Sequence, residues 1–196
     1  MSDENRLFLK TELIRLIDAL TLQQALSRQR AARIDEIIRQ LEEVNPNPQA
    51  LLLENQPTLV GDWQIVYSTN WNYTPLRTET VSTWATGIDI RIWQILRVGN
   101  AGVIDSLDSV FIKLAAFAEW KMEVEGVWNI NDDKTALVKL KTFAFQPTRL
   151  FIIPGLKIPL YDFFHTEKLW TTSYLDEDIR FGRDDTGTLF VFCKRM

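Results

Sequence analysis

The chain has 196 residues, of which 46% are hydrophobic and 24% are charged, and its formal net charge is −4. This length fits one domain of ordinary size, and the composition is that of a globular protein rather than a disordered one. The acidic balance argues against a general nucleic-acid-binding protein, which needs a basic face. The single cysteine, Cys193, excludes an internal disulfide framework and a cysteine-rich zinc site. The single histidine, His165, excludes every site that needs two.

The first quarter of the chain carries apolar residues at the spacing of amphipathic helices. A first stripe consists of Leu9, Leu13, Leu16, Ile17 and Leu20, and a second of Ile34, Ile37, Ile38 and Leu41. Two Asn-Pro pairs at residues 45–48 end the second helix, because a residue before proline avoids the α region. We therefore expect a helical extension over residues 5–56 that packs on the rest of a single domain.

From residue 58 onward the apolar period changes from that of a helix to that of a strand. Trp63, Ile65 and Tyr67 alternate with the residues between them, and Gly99–Gly102 has the composition of a hairpin connection. The segments with strand character are 63–67, 80–86, 88–98, 103–112, 120–124, 135–145, 169–183 and 188–194. About eight short strands at regular spacing predict a sandwich or a barrel over residues 58–196.

A barrel explains the composition better than a sandwich does. Polar residues share strand faces with apolar ones, namely Gln94, Ser106, Asp108 and Thr142. The chain also holds 7 Trp, 11 Phe and 4 Tyr, most of them after Gly61. An eight-stranded closed sheet is just wide enough for side chains or one small ligand. Mixed polar and aromatic lining is typical of a ligand cavity, and the alternative is a fully packed core.

The sequence resembles a known family at several points that occur in order. Gly61-Asp62-Trp63 has the G-x-W pattern of the first strand of lipocalin-type barrels. Residues 34–48 with 59–69 resemble the opening of the plastid-lipid-associated protein (fibrillin) family, Gln94 within 92–96 fits its middle, and 174–192 resembles its closing block. The resemblance extends over about residues 10–194.

This resemblance implies a mainly β, lipocalin-like antiparallel barrel with N-terminal helices packed against it. It further implies a non-enzymatic binding protein for carotenoids, fatty acids, quinones or other isoprenoid lipids, peripherally associated with thylakoid membranes or lipid droplets. The alternative within the family is a scaffold that coats lipid surfaces or docks a prenyl-lipid biosynthetic enzyme. The chain has no transit-peptide-like start and no secretory signal, and we expect a cyanobacterial member, or a plastid protein if the source is a plant.

Barrel closure is assigned by this resemblance to Gly61, Trp63 and a late-strand arginine. Arg180 and Arg183 are the two candidates, and Arg180 is preferred because it lies within the closing block. The residues expected to line the barrel are Trp63, Tyr67, Trp93, Gln94, Trp120 and Met122. Gln94 is the first candidate for a polar group that orients the ligand.

Nothing in the sequence favours catalysis, a metal or a cofactor. Asp176, Glu177 and Asp178 are consecutive, so on a strand at most two of them would converge. We expect them to form a turn with a salt bridge to Arg180. Cys193 has no histidine close by in sequence, which argues against a nucleophile.

An apolar segment at residues 150–164 has the punctuation of a loop, with Pro154, Gly155 and Pro159. Exposed apolar patches of this kind usually contact something. We expect either a flap over the barrel mouth or a membrane contact made by Phe151, Ile153, Leu156 and Phe163, and the alternative is a segment buried on the helices. No apolar run reaches the roughly 20 residues of a membrane-spanning helix.

The double substitution Phe151→Asp and Ile153→Asp tests this segment. We expect it to abolish association with liposomes or with a hydrophobic ligand, because a carboxylate does not enter an apolar phase without a large cost. Liposome flotation and circular dichroism measure binding and folding. Unchanged binding by a folded variant would show that the segment is neither flap nor membrane contact.

Overall fold

The computed structural model describes residues 3–19, 28–69, 88–114, 118–147, 156–159 and 167–195. Three α-helices lie in this part of the chain: α1 (Asp3–Asp18), α2 (Arg28–Glu43) and the short α3 (Gln56–Leu59). The first six strands are β1 (Gly61–Ser68), β2 (Ile88–Val98), β3 (Ile104–Leu114), β4 (Ala118–Ile130), β5 (Thr135–Pro147) and β6 (Leu156–Pro159). The last three are β7 (Lys168–Leu175), β8 (Ile179–Asp184) and β9 (Leu189–Lys194).

The strands form one antiparallel sheet that closes into a ring. The order along the sheet is β4-β3-β2-β1-β9-β8-β7-β5-β6, and a further pairing of β4 with β5 closes the circle. The eight strands other than β6 therefore make the ring, and β6 pairs with the later half of β5. The mainly β fold, a barrel-like ring of about eight strands with N-terminal helices packed against it, is confirmed.

Two apolar cores lie on opposite faces of the short strands. The inner core fills the ring and includes Trp63, Ile65, Trp128 and Phe192. The outer core lies between the helices and the outer face of β1, β7, β8 and β9. Its members include Leu13, Ile37, Tyr174, Phe181 and Val191. Burying an aliphatic side chain of this size stabilises a fold by roughly 1.5–3 kcal/mol, so the helices contribute to the stability of the barrel.

The helical stripes appear where their spacing predicts them. Leu9, Leu13 and Ile17 are buried on α1 at positions i, i+4 and i+8, while Asp3 and Glu4 lie in the first turn, where the helix dipole favours anions. After α2, Asn45 bonds through its side chain to the backbone of β7, accepting from Leu175 and donating to the carbonyl of Ser173. The Asn-Pro segment thereby ends the helix and attaches it to the sheet.

Most strand predictions agree with the structure. The predicted strand 88–98 is β2, and the predicted strands 103–112 and 135–145 lie within one or two residues of β3 and β5. The single strand predicted for 169–183 is wrong, because the chain turns between β7 and β8, whereas the turn expected at Asp176–Asp178 is confirmed. Asp176 causes the turn: its Oδ1 accepts hydrogen bonds from the backbone N–H groups of Asp178 and Ile179. The predicted strand 80–86 lies outside the described residues.

The same aspartate attaches α1 to the barrel. Lys10 Nζ lies 2.8 Å from Asp176 and 2.9 Å from Asp178. The hydroxyl of Tyr174 donates to Asp176 over 2.7 Å. The prediction of a salt bridge from the acidic turn to Arg180 is therefore wrong. The turn faces the helix, whereas Arg180 points into the ring. Burial raises the pKa of Asp176, but the hydrogen bonds from Lys10, Tyr174 and the backbone outweigh it, so that pKa lies below its ordinary value.

We expect Asp176→Asn to lower the free energy of unfolding by about 3 kcal/mol at pH 7, because it leaves the half-buried Lys10 ammonium without its main counter-charge. Glu177→Gln, at the exposed neighbouring position, is the control and should change stability little. Because the folded pKa of Asp176 is lowered, its contribution is present above the unfolded pKa and is lost as the pH falls through the folded pKa. Urea unfolding of both variants measures the difference, and equal stabilities would contradict this role.

Candidate functional site

Three inward-facing residues lie side by side on the first three strands. Trp63 on β1 pairs with Gln94 on β2, and Gln94 pairs with Asp108 on β3. Directly opposed residues of antiparallel strands project from the same face, so all three side chains enter the ring. An apolar indole, an amide and a carboxylate thus form one row across the inner face.

Arg180 reaches this row from β8, on the other side of the ring. Its side chain is fully buried, with a relative exposure of 0%. The guanidinium carbon lies 4.2 Å from the ring centroid of Phe192, 5.1 Å from that of Trp63 and 5.6 Å from that of Trp128. Aromatic faces attract cations at this distance, and the attraction increases when water is excluded. The interior therefore surrounds a cation with π surfaces on three sides.

Gln94 connects this cation to an anion. Its Oε1 accepts a hydrogen bond from Arg180 Nη2, and its Nε2 donates to Asp108 Oδ1 over 2.8 Å. A carboxamide has both a donor and an acceptor, so it bonds to a guanidinium at one end and a carboxylate at the other. The result is a chain of Arg180, Gln94 and Asp108 with opposite charges at its two ends, buried at Arg180 and Gln94 and half-buried at Asp108.

Desolvation shifts both charged ends toward their neutral forms. Burial raises the pKa of Asp108 to about 6, although the bond from Gln94 and the charge of Arg180 act in the opposite direction. Burial also lowers the pKa of Arg180 to about 9, and the charge of Asp108 compensates only in part. Arg180 therefore stays protonated at neutral pH, while Asp108 changes its protonation in mildly acidic solution.

Several buried donors near Arg180 have no hydrogen-bond partner within the part of the chain that the structure describes. They are Nε and Nη1 of Arg180 and the indole Nε1 atoms of Trp128 and Trp170. The Trp128 and Trp170 rings are 5.7 Å apart, and Trp170 also contacts Phe192, so the donors belong to one contiguous cluster. Buried polar groups are normally paired, and unpaired ones call for an explanation.

Glycine at position 182 makes room for this cluster. A Cβ atom there would lie 2.0 Å from Trp170 Cζ2, so no larger residue fits without moving the indole. Gly182 lies opposite Thr172 on β7 and Phe190 on β9. The backbone of β8 thus forms the surface on which Trp170 rests.

One end of the ring is closed by the segment before β1. Trp63 Nε1 donates to the carbonyl of Leu59 in α3 over 2.8 Å. Lys194 Nζ donates to the carbonyl of Thr58 over 2.9 Å and lies 5.1 Å from the Trp63 ring centroid. Gly61 has φ 140°, in a region that favours glycine, and its missing Cβ leaves room for the Lys194 stem. We call this the closed end.

The half of the ring farther from the closed end is apolar on its inner face but less buried. We call it the upper half. Its walls come from the portions of β3, β4 and β5 beyond Asp108, where register and alternation identify the inward-facing residues. These residues are Val110, Ile112, Trp120, Met122, Val124, Phe143 and Phe145. All except Phe145 are half-buried, and Phe145 is 39% exposed, whereas Leu96, Ile104 and Ala136 near the closed end are fully buried.

The structure distributes the expected lining residues over both faces. Trp63, Gln94, Trp120 and Met122 lie on the inner face. Tyr67 does not, because a bulge between Ile65 and Tyr67 reverses the alternation and places it opposite Val191 in the outer core. Trp93 also points outward, since it neighbours inward-facing Gln94, and it contacts Phe111 and Arg195. Predicting Tyr67 and Trp93 as barrel lining was wrong.

The structure brings Arg180 rather than Arg183 to Trp63. Arg183 lies on the outer side, where it donates to Glu42 of α2 and to Ser173. Of the residues expected in a flap or membrane contact, Phe151, Ile153 and Phe163 lie outside the described residues. Leu156 begins β6 opposite Phe145.

Sequence reasoning missed the importance of Asp108, Trp128 and Trp170. A signal for Asp108 was present: Gln94 and Asp108 are each seven residues from residue 101, the centre of the connection between β2 and β3, and a short hairpin pairs such positions. No comparable signal marks Trp170, because the acidic residues 176–178 indicate a turn but not which residues of β7 face the ring.

A comparison with protein families shows where this architecture belongs. The family model PAP_fibrillin matches residues 8–193, nearly the whole chain. The chain belongs to the PAP/fibrillin family. Membership indicates a lipid-associated protein. No curated protein matches the chain significantly. Among the described residues of this PAP/fibrillin chain, no helix has the length and apolarity needed to cross a membrane, and no group of acidic, cysteine and histidine side chains is arranged to hold a metal ion.

The raised pKa of Asp108 predicts a characteristic dependence of stability on pH in this PAP/fibrillin protein. The folded state binds the Asp108 proton more tightly than the unfolded state does, so stability falls as the pH rises from about 4 to above 6. Asp108→Asn removes this dependence. We therefore expect the urea midpoint of the wild type, relative to that of Asp108→Asn, to be lower at pH 7.5 than at pH 4.5.

Asp105→Asn is the matched control, because Asp105 is exposed on the outer face of the same strand, where it lies 3.5 Å from Lys141. Its midpoint difference from the wild type should not follow the same pH curve. A difference for Asp108→Asn that is constant across this range would contradict the assignment of a desolvated carboxyl inside the ring.

Proposed function

We propose that this protein is a non-enzymatic binding protein that holds one small hydrophobic molecule in the upper half of its barrel, at the periphery of thylakoid-type membranes or lipid droplets. The observation that carries the proposal is the contrast along the inner face: fully buried near the closed end, and apolar but half-buried from Val110 upward. An apolar concave wall that keeps surface exposed gains free energy when a ligand covers it.

The outer face of the same strands is charged, which supports an apolar inner face as the ligand-binding surface. Between the inward-facing positions, β3 and β4 carry charged residues that pair with one another, such as Lys113 with Glu119 and Lys121 with Glu123. Charged residues on one face and apolar ones on the other are typical of a sheet with water on a single side. The apolar side chains of the upper half thus face the ring interior, where a lipid would be shielded from water.

Met122→Lys tests the proposal. We expect at least about tenfold weaker binding of a carotenoid, fatty acid or quinone, because a cation in the wall must be desolvated whenever an apolar ligand covers it. Quenching of intrinsic tryptophan fluorescence measures binding, since Trp120 lies on the same wall.

Phe111→Lys is the matched control, because Phe111 is also half-buried but projects from the outer face of β3. It should bind as the wild type does. Equal binding by Met122→Lys and the wild type, with both folded by circular dichroism, would exclude the upper half as the binding site.

A scaffold role is the second candidate, and one observation favours it. Helix α1 leaves Leu7 63% exposed and Phe8 61% exposed, beside the buried Leu9. Two adjacent large apolar side chains on a helix surface suit contact with a lipid surface or another protein. Absence of saturable quenching by every ligand class, together with loss of liposome binding in the Leu7→Asp, Phe8→Asp variant, would favour the scaffold over the carrier.

A further inference from the structure

The unpartnered donors inside the ring specify what a ligand must offer. Arg180 Nε and Nη1 and the indole nitrogens of Trp128 and Trp170 are donors only, and the unpaired hydroxyls of Ser106 and Thr172 on the same inner face can also donate. A hydrocarbon would leave all of them unsatisfied, at a cost of about 1–3 kcal/mol for each buried polar group. A complementary group must therefore carry oxygen acceptors.

The position of the polar cluster also restricts the ligand, because Arg180, Gln94 and Asp108 lie where the upper half borders the buried interior of the ring. Arg180 and Gln94 are buried, whereas Asp108 at the end of the chain of hydrogen bonds is only half-buried. Asp108 pairs with Val124 on β4, and the next inward-facing pair is Val110 with Met122. The wall therefore changes from polar to apolar within one step along the strands, which matches a molecule with a polar head and a hydrocarbon tail.

Charge decides between a neutral and an anionic head. The cluster already contains one cation and one anion, Arg180 and Asp108, which Gln94 joins. A carboxylate would bring a second negative charge into a desolvated site, and an unpaired buried charge is costly. A carbonyl oxygen accepts from a guanidinium or an indole N–H and leaves the charges balanced.

We propose that Arg180 anchors the uncharged carbonyl head of an amphiphile, such as a quinone ring, whose hydrocarbon tail lies along Val110, Met122 and Phe143. This assignment rests on the proposed binding function and specifies its ligand class. Phe192 and Trp63 pack on the guanidinium and hold it in place. The Trp128 and Trp170 donors lie deeper, level with Ile104 and Ala136 near the closed end.

Three ligands that differ mainly in the head group provide the test. They are a decyl-substituted benzoquinone, decylbenzene, which lacks oxygen, and a fatty acid carboxylate, each titrated calorimetrically at pH 8. We expect the wild type to bind the quinone at least about tenfold more tightly than decylbenzene, as expected for hydrogen bonds to a charged donor. The carboxylate should bind more weakly than the quinone at this pH.

The variant Arg180→Met, Asp108→Asn removes both charges of the pair at once, because removing Arg180 alone would leave a buried anion. We expect it to lose the preference for quinone and to keep its affinity for decylbenzene. Arg183→Met removes an arginine from the outer face of the same strand and should behave as the wild type. Thermal melting establishes that each variant is folded.

A measurement on the wild type avoids dependence on the double variant. The Nε–H resonance of Arg180 in ¹⁵N spectra, assigned by its loss in Arg180→Lys, should move when the quinone binds and stay in place when decylbenzene binds. Failure of all three ligands to bind would overturn both the binding function and this assignment. Binding of decylbenzene and quinone with equal affinity, or an unmoved Arg180 resonance, would overturn only the role of Arg180.

Discussion

The buried guanidinium of Arg180 is the constraint around which the interior is arranged. Transfer of a guanidinium from water to an apolar medium is unfavourable by many kcal/mol unless other groups replace its hydration. In this protein the replacement comes from different parts of the ring: π surfaces on β1, β4 and β9, and the amide of Gln94 on β2, which passes the interaction on to Asp108 on β3. These contacts fix each contributing strand relative to β8. Three of the many aromatic residues, Trp63, Trp128 and Phe192, thus stabilise the buried charge of Arg180.

The second organising feature is that one layer of backbone separates two apolar cores. On β8, Arg180 and Gly182 face the ring while Phe181 faces the helices, and all three are buried. On β9, which also lies between the two cores, the five residues Leu189–Cys193 are all apolar and do not alternate with polar ones, as is typical of a strand buried on both faces. On the far side of the ring, β3 and β4 bear charged outer residues. The barrel is thus covered by α1 and α2 only over part of its circumference.

The sequence allowed a good prediction of the architecture but only part of the site. Helical stripes, the hairpin at 99–102 and the change of period after residue 58 are local signals, and the structure follows them. The G-x-W pattern and the closing block predict Trp63 and Arg180 as the closing pair, and the structure places them in contact.

The failures arise where one residue changes the register of everything after it. The bulge beside Tyr67 moves that side chain from the inner to the outer core, and nothing in the composition of β1 marks the bulge. The side-chain turn at Asp176 divides residues 169–183 into β7 and β8. The three consecutive acids indicate a turn, but not that one strand ends there and another begins. Which face of β2 points inward was equally undetermined, and the choice between Trp93 and Gln94 depends on the closure of the whole ring.

Closure of the ring joins very distant parts of the sequence, since Trp63 on β1 pairs with Lys194 on β9. Contacts between such distant positions form slowly, because the entropy of closing a long loop is lost before the contacts compensate for it. During synthesis, β1 therefore waits for β9 to leave the ribosome before its second edge is paired. Until then Trp63 and the inner aromatic side chains made after it lack their complete enclosure, so the unfinished chain exposes apolar surface of the kind that chaperones bind.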